Sequence, residues 1–301
     1  MSGLCEGRVA IVTGAGRGVG RQHALQLARA GAKILVNDLG AAVDGSGIDF
    51  SPAQQVTDEI NASGGEAVVN GDDVSNFDGA KNMVDMAINT FGKLDIVVNN
   101  AGILRDRMLV NMTEEEWDAV IAVHLKGTFA SSRHAASYWR AMSKQNDDGK
   151  PIMGRIINTS STSGIYGNVG QSNYGAAKAG IAAFTIIAAR ELSRIGVTVN
   201  AISPSAYTRM TDNLREYTEE EIVVRDPSWV SPTVVYLAST EAQDITGRVI
   251  EAGAGRVAVC EGWRRGAEIG QIDDPDTIGP KIREMIGKVR RNSGMDGLEL
   301  D

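Results

Sequence analysis

The chain has 301 residues, 43% of them hydrophobic and 23% charged, with a formal net charge of −8 and an isoelectric point near 5.1. That length can bury one large core, and the balance is ordinary for a globular protein. The acidic surplus argues against nucleic acid or an anionic membrane surface as the main partner, yet leaves room for a small anion held by backbone groups.

Two cysteines, Cys5 and Cys260, stand at opposite ends of the chain and suggest free thiols rather than a disulfide framework. No His/Cys cluster has zinc spacing, so no metal is expected. No apolar run approaches the ~18 residues of a membrane span, and the start carries no leader pattern. A reducing, cytoplasmic setting is the expectation.

The first apolar run, Arg8 to Thr13, reads as a strand. It opens into Gly14-Ala15-Gly16-Arg17-Gly18-Val19-Gly20 and a helical pattern from about 18 to 30. Strand, glycine turn and helix form a cradle for a pyrophosphate, because glycine permits close approach and the helix start offers free N–H groups. Gly14, Arg17, Gly18, Val19 and Gly20 are its candidate residues. The plain alternative is a glycine loop that merely caps a helix.

A second strand, 33–37, ends at Asp38, eighteen residues past Gly20. A carboxylate there can accept both ribose hydroxyls and repel a 2′-phosphate, which favours NAD over NADP. Arg17 pulls the other way, since it can pair with that phosphate. A long loop rich in Gly, Ala, Asp and Ser follows from Leu39 to Pro52. Helix 53–63 and strand 66–71 lead to Asp73 and Val74, which suit an adenine amino group and ring. Helix 78–91 and strand 94–98 lead to Asn100, Ala101 and Gly102, where small or amide residues allow close approach to a cofactor. Turn chemistry alone explains these as well.

A helix over 114–143 and a polar loop from Lys144 to Pro151 precede a strand at 154–160. Ser161 follows it. A helix over 172–194 then carries Tyr174 and Lys178 at i and i+4, on one face. An ammonium beside a phenol favours the phenolate, which makes Tyr174 a usable acid/base, and Ser161 can bond the same substrate oxygen. Strand 197–202, helix 210–222 and strand 247–251 complete the alternation. It predicts an α/β fold: a doubly wound, parallel, seven-stranded Rossmann-like sheet with helices on both faces. The chain divides into a domain at 1–255 and an extension at 256–301, which reads as a solvated tail or an arm packed on the domain or a neighbouring subunit.

Taken together, Thr13-Gly14-x-x-x-Gly18-x-Gly20, Asp73-Val74, Asn99-Asn100-Ala101-Gly102, Ser161 and Tyr174-x-x-x-Lys178 resemble the short-chain dehydrogenase/reductase family over about residues 5 to 255. The resemblance implies a nicotinamide cofactor and a homodimer or homotetramer built on the long helices. It also implies that Lys178 lowers the pKa of Tyr174 and, with it, binds the nicotinamide ribose. His124 stands where the family often has an asparagine that holds a relay water; a core histidine is the plain reading. Pro204 and Thr208 fall where the family contacts the nicotinamide, and residues 210–230 where it has a mobile substrate lid.

Val36-Asn37-Asp38-Leu39-Gly40, Arg105 to Leu109, Trp117 to Phe129, Gly164 to Asn168 and Glu251 to Gly255 look like one subgroup. It contains the (3R)-hydroxyacyl-CoA dehydrogenase part of the peroxisomal multifunctional enzyme of β-oxidation, and is NAD-linked. The chain looks like a free-standing bacterial-type relative, without the hydratase and lipid-carrier parts. The expected reaction is NAD-dependent oxidation of a 3-hydroxyacyl-CoA. Alternatives are an NADPH-dependent 3-oxoacyl-carrier-protein reductase, a hydroxysteroid dehydrogenase, and a non-catalytic dinucleotide-binding regulator.

Overall fold

A computed structural model describes residues 3–146, 149–212 and 216–300. The strands are β1 (Val9–Thr13), β2 (Lys33–Asn37), β3 (Ala67–Asn70), β4 (Ile96–Asn99), β5 (Arg155–Thr159), β6 (Thr198–Ser205), β7 (Val249–Gly253) and β8 (Arg256–Cys260). They form one sheet in the order β3-β2-β1-β4-β5-β6-β7-β8. The first seven run parallel, and β8 turns back antiparallel on β7. The order reverses between β1 and β4, which opens a crevice beyond their carboxyl ends.

Strand residues are buried on both faces. In β1, Ala10 and Val12 pack into one core cluster, and Val9 and Ile11 into the other. Near-continuous apolar runs are therefore what these strands need. The flanking helices are α1 (Gly18–Arg29), α2 (Ser51–Ala62), α3 (Phe77–Phe91), α4 (Glu114–Ile121), α5 (Gly127–Gln145), α6 (Thr162–Ile165), α7 (Ser172–Leu192), α8 (Glu219–Val224), α9 (Ser231–Ala238) and α10 (Pro275–Ile286).

Four features differ from the sequence reading. The sheet has eight strands, not seven: a turn with positive φ at Gly253, Ala254 and Gly255 lets Arg256–Cys260 fold back. The expected helix over 114–143 is interrupted by a π-helical turn at Ala122–Lys126, which carries His124. The expected helix at 210–222 begins only at Glu219, where Thr218 and Glu221 form a reciprocal cap. Turns occupy 208–212, and 213–215 lie outside the described residues, as do 147–148 of the polar loop. Finally, α6, α9 and α10 were not anticipated; α9 is too uniformly apolar to show a face.

Trp139 on α5 is 1% exposed and donates its indole N–H to Leu94 O at 2.7 Å. Trp139→Ala leaves both a cavity and an unpaired carbonyl. Urea unfolding should show a loss of about 3–5 kcal/mol; a loss below about 1 kcal/mol would contradict this packing.

Candidate active site

The crevice holds a cavity of about 570 Å3. Every candidate catalytic and cofactor residue named from the sequence, from Gly14 in the first turn to Thr208 beyond β6, lines it. Its size is that of a small-molecule or cofactor pocket.

At one end lies the glycine turn. Gly14 has φ +63°, and a Cβ there would sit 2.7 Å from Ala101 Cα. A Cβ on Gly20 would sit 2.1 Å from Gly14 O. Asn100 locks the turn by donating to Thr13 O at 3.0 Å and Gly14 O at 3.1 Å. Helix α1 starts without a side-chain cap, so its first N–H groups face the cavity region unpaired by side chains. Asp38 Oδ2 accepts from Gly16 N at 2.7 Å and Oδ1 from Gly40 N at 2.6 Å. Each oxygen keeps lone-pair capacity for a hydroxyl. Val74 is 7% exposed beside it, and Asp73 Oδ1 accepts from Ser75 N at 2.8 Å. These residues fit an adenine dinucleotide: a cradle only glycine allows, a free helix start and a fixed carboxylate.

The long loop after Asp38 crosses the crevice. Leu104 N donates to Val43 O at 2.8 Å, and Arg105 Nε to Asp44 O at 2.9 Å. Ala41, Ala42, Val43 and Gly45 thus become a cavity wall.

At the other end, β5 delivers Ser161 and α7 delivers Tyr174 and Lys178. Lys178 is 2% exposed and donates Nζ–H to Thr159 O at 2.7 Å. Its Nζ lies 5.4 Å from the Tyr174 ring centroid. Burial pulls the Lys178 pKa down to about 7. Burial also pushes Tyr174 up to about 12, against the pull of its hydrogen bond with Ser161; the Asp106 charge adds to the rise. The expected lowering of Tyr174 by Lys178 is therefore absent. Desolvation weighs on both charged forms, and at this distance the ammonium does not offset it.

His124 is 1% exposed and stacks edge-on to Tyr174, ring centroids 5.1 Å apart. Its Nε2 lies 2.8 Å from Ile103 O and 3.0 Å from Ile103 N, so the tautomer decides which bond forms. Its Nδ1 is buried without a partner. A Cβ on Gly102 would meet His124 Cε1 at 2.3 Å, so that glycine makes room for the ring.

Several lining residues carried no sequence signal: Met295, from the extension, reaches the cavity, as do Gln171 and Arg209, while Tyr217 and Arg225 come from the 210–230 segment expected to form a lid. The extension is also tied down by Arg256, which pairs with buried Glu251 at 3.2 Å, while Glu251 accepts from Tyr166 Oη at 2.5 Å. Only the folded chain brings Gly297 beside Tyr166, where an added Cβ would sit 3.5 Å from the phenol oxygen. Among the described residues no group of three or more His, Cys, Asp or Glu side chains could hold a metal ion, and no helix is long and apolar enough to cross a membrane.

Burial of His124 holds its pKa well below the ordinary 6.5. The unfolded chain therefore binds one more proton than the folded chain once the pH drops below about 6.5. Stability from this group is complete above that pH and falls on acidification, by up to about 1.4 kcal/mol per pH unit. Denaturant unfolding between pH 7 and 5 should show that slope, and His124→Asn should make it shallower by one proton. An unchanged slope would contradict the neutral, buried imidazole.

Comparison with known proteins agrees with this geometry. The short chain dehydrogenase family profile matches residues 8–221. The hydroxyacyl-CoA dehydrogenase ChsB1 of Mycobacterium tuberculosis is 47% identical over 251 residues, covering 81% of this chain and 76% of that enzyme. The peroxisomal multifunctional enzyme type 2 of Drosophila melanogaster is 45% identical over 277 residues; the match covers 91% of this chain but 44% of that larger protein. A crystal structure of a short chain dehydrogenase from Mycobacterium avium superposes with a TM-score of 0.86 at 50% identity, covering 99% of this chain and all of that one. The chain belongs to the short chain dehydrogenase family, oxidoreductases that act on CH–OH groups.

Proposed function

We propose that the chain is an NAD-dependent dehydrogenase that interconverts a 3-hydroxyacyl-CoA and its 3-oxoacyl-CoA. The observation that carries this reading is the meeting of Ser161, Tyr174 and Lys178 in the same cavity as the glycine turn and Asp38. The names of the ChsB1 and multifunctional-enzyme relatives support the acyl-CoA class.

Ser161 and Tyr174 hold the substrate hydroxyl. Tyr174, as phenolate, takes the hydroxyl proton while the carbon–hydrogen bond breaks and the carbonyl forms. NAD+, when bound, supplies the hydride acceptor and a cationic ring. Lys178 would hold the nicotinamide ribose, and the fixed hydroxyl of Ser161 acts on the phenolate by positioning and electrostatics. His124, neutral beside Tyr174, passes the proton onward through its free Nδ1. Asp38 accepts the adenosine ribose hydroxyls, and Asp73, Val74 and Asn100 to Gly102 border the rest of the dinucleotide. Pro204 and Thr208 cover the nicotinamide end.

Because burial raises Tyr174, its base form accumulates only as the pH rises. Oxidation kcat/KM should therefore climb from neutral to alkaline pH, and reduction should fall. Tyr174→Phe should lose at least about a hundredfold in kcat. NADH formation from a racemic 3-hydroxyacyl-CoA checks both; near-native turnover in Tyr174→Phe would remove the assignment.

A second reading, an NADPH-dependent reductase of carrier-bound 3-oxoacyl groups, draws on Arg17 and Arg209. Burial holds Arg209 below its ordinary pKa and the nearby Arg17 guanidinium adds to the fall, against the upward pull of Asp38 and Asp212. Arg17 is also drawn to Asp49 at 3.8 Å, away from a ribose phosphate. Calorimetry should find NAD at least about tenfold tighter than NADP, and Asp38→Ser should narrow the gap. Tighter NADP would select the reductase.

A homodimer or homotetramer fits the exposed Trp117, Phe129 and Ile187 on the long helices α4, α5 and α7. The exposed Ile282 and Ile286 on α10 give residues 256–301 a face for a second subunit, while Met295 packs on the domain at 1–255. Free Cys5 and Cys260 suit a reducing, cytoplasmic setting.

A further inference from the structure

We propose that Gln171 is a positioning residue for the Ser161–Tyr174 pair, and that Asp106, on the loop after β4, is its anchor. The proposal rests on the acid/base reading of that pair. Ser161 and Tyr174 are joined by α6 and a glycine-containing loop, 166–170, whose tip at 167–169 is exposed. Nothing in such a linker by itself fixes two hydroxyls relative to one another. Effective catalysis needs them placed to within about an ångström.

Gln171 supplies the brace. It is 7% exposed, and its side chain makes three hydrogen bonds. Oε1 accepts from Ser163 Oγ at 2.7 Å and from Asn168 Nδ2 at 3.0 Å. Nε2 donates to Asp106 Oδ2 at 2.7 Å. The first two bonds tie both ends of the linker to the start of α7. The third ties all of it to the loop after β4, where Arg107 N also donates to Gly170 O at 2.7 Å.

The polarity of the brace follows from Asp106. An ionised carboxylate only accepts, so the amide NH2 must face it and Oε1 must face Ser163. The Ser163 hydroxyl is thereby committed as a donor. Ser163 N donates to Ser161 Oγ at 3.2 Å. That bond occupies a lone pair of the Ser161 hydroxyl and leaves its proton free to point at the phenol. The line runs from Asp106 through Gln171 and Ser163 to Ser161.

Asp106 is half-exposed. Burial raises its pKa, and the Gln171 hydrogen bond opposes the rise. Around the phenol stand Ser161, neutral His124, Lys178 and, farther out, Asp106. Arg105 and Arg107 flank Asp106 in sequence, and Arg107 is occupied by Glu116 at 2.9 Å.

The test exchanges the two groups. Gln171→Glu sets a carboxylate against Asp106 and should lower kcat by at least about tenfold, with the NAD dissociation constant and the substrate KM within about twofold. Adding Asp106→Asn restores an amide-to-carboxylate hydrogen bond with reversed polarity and should recover most of kcat. Unchanged kcat in Gln171→Glu overturns the proposal. So does a double variant no better than the single, or a matching loss of NAD binding, which would mean general damage to the crevice. If Gln171→Glu does not fold, a folded, active double variant supports the proposal and an unfolded one overturns it. Tyr174→Phe, run alongside, separates the levels: if it keeps turnover the acid/base reading itself fails.

Discussion

The site depends on how β1 and β4 are joined where the sheet order reverses. Thr13 Oγ1 accepts from both Asn100 N and Ala101 N at 3.0 Å, while the Asn100 amide donates back to Thr13 O and Gly14 O. Four hydrogen bonds within two turns hold the ends of adjacent strands together. Beyond them the chain must diverge: α1 leaves to one side, and the loop toward His124 to the other. The crevice is the gap that this divergence leaves. Side chains on Gly14 or Gly20 would push the two turns apart before any ligand arrived.

Low polarity governs the other end of the cavity. Lys178, Tyr174 and His124 are all shifted toward their neutral forms, and burial is the leading cause each time. A triad poised this way stores little charge at rest. On the proposed reading, charge develops there only when the reacting oxygen gives up its proton, and the fixed hydroxyl of Ser161 stands beside it. The resting phenol is thus kept neutral, and activation belongs to the reacting complex.

The sequence made the fold legible wherever a strand was buried on both faces. Runs such as Ile34-Leu35-Val36 and Ile156-Ile157 have no polar alternative. It made the site legible wherever the backbone itself demanded a residue, as at Gly14 and Gly20, or where helical spacing joined two side chains, as at Tyr174 and Lys178. It was silent where tertiary distance decided. Gly297 and Tyr166 are far apart in the chain yet meet in the fold, and Gln171 looks like any polar helix-start residue. The π turn at 122–126 was hidden because a helical pattern does not reveal one extra residue in a turn. The phenol's pKa departs from the direction the spacing implies for a related reason: spacing shows a neighbouring charge, but not how much water the fold removes.

The loop after Asp38 carries a kinetic consequence. It closes one wall of the crevice through two hydrogen bonds to residues 104 and 105, each worth about 0.5–1.5 kcal/mol. Such a seam is shut most of the time, yet thermal motion parts it often. In the proposed cycle, a dinucleotide leaving past this wall must first part the seam. The strength of the seam therefore belongs to the turnover rate as much as to the shape of the pocket. Tightening it with a third bond would trade residence time of the carrier against its release.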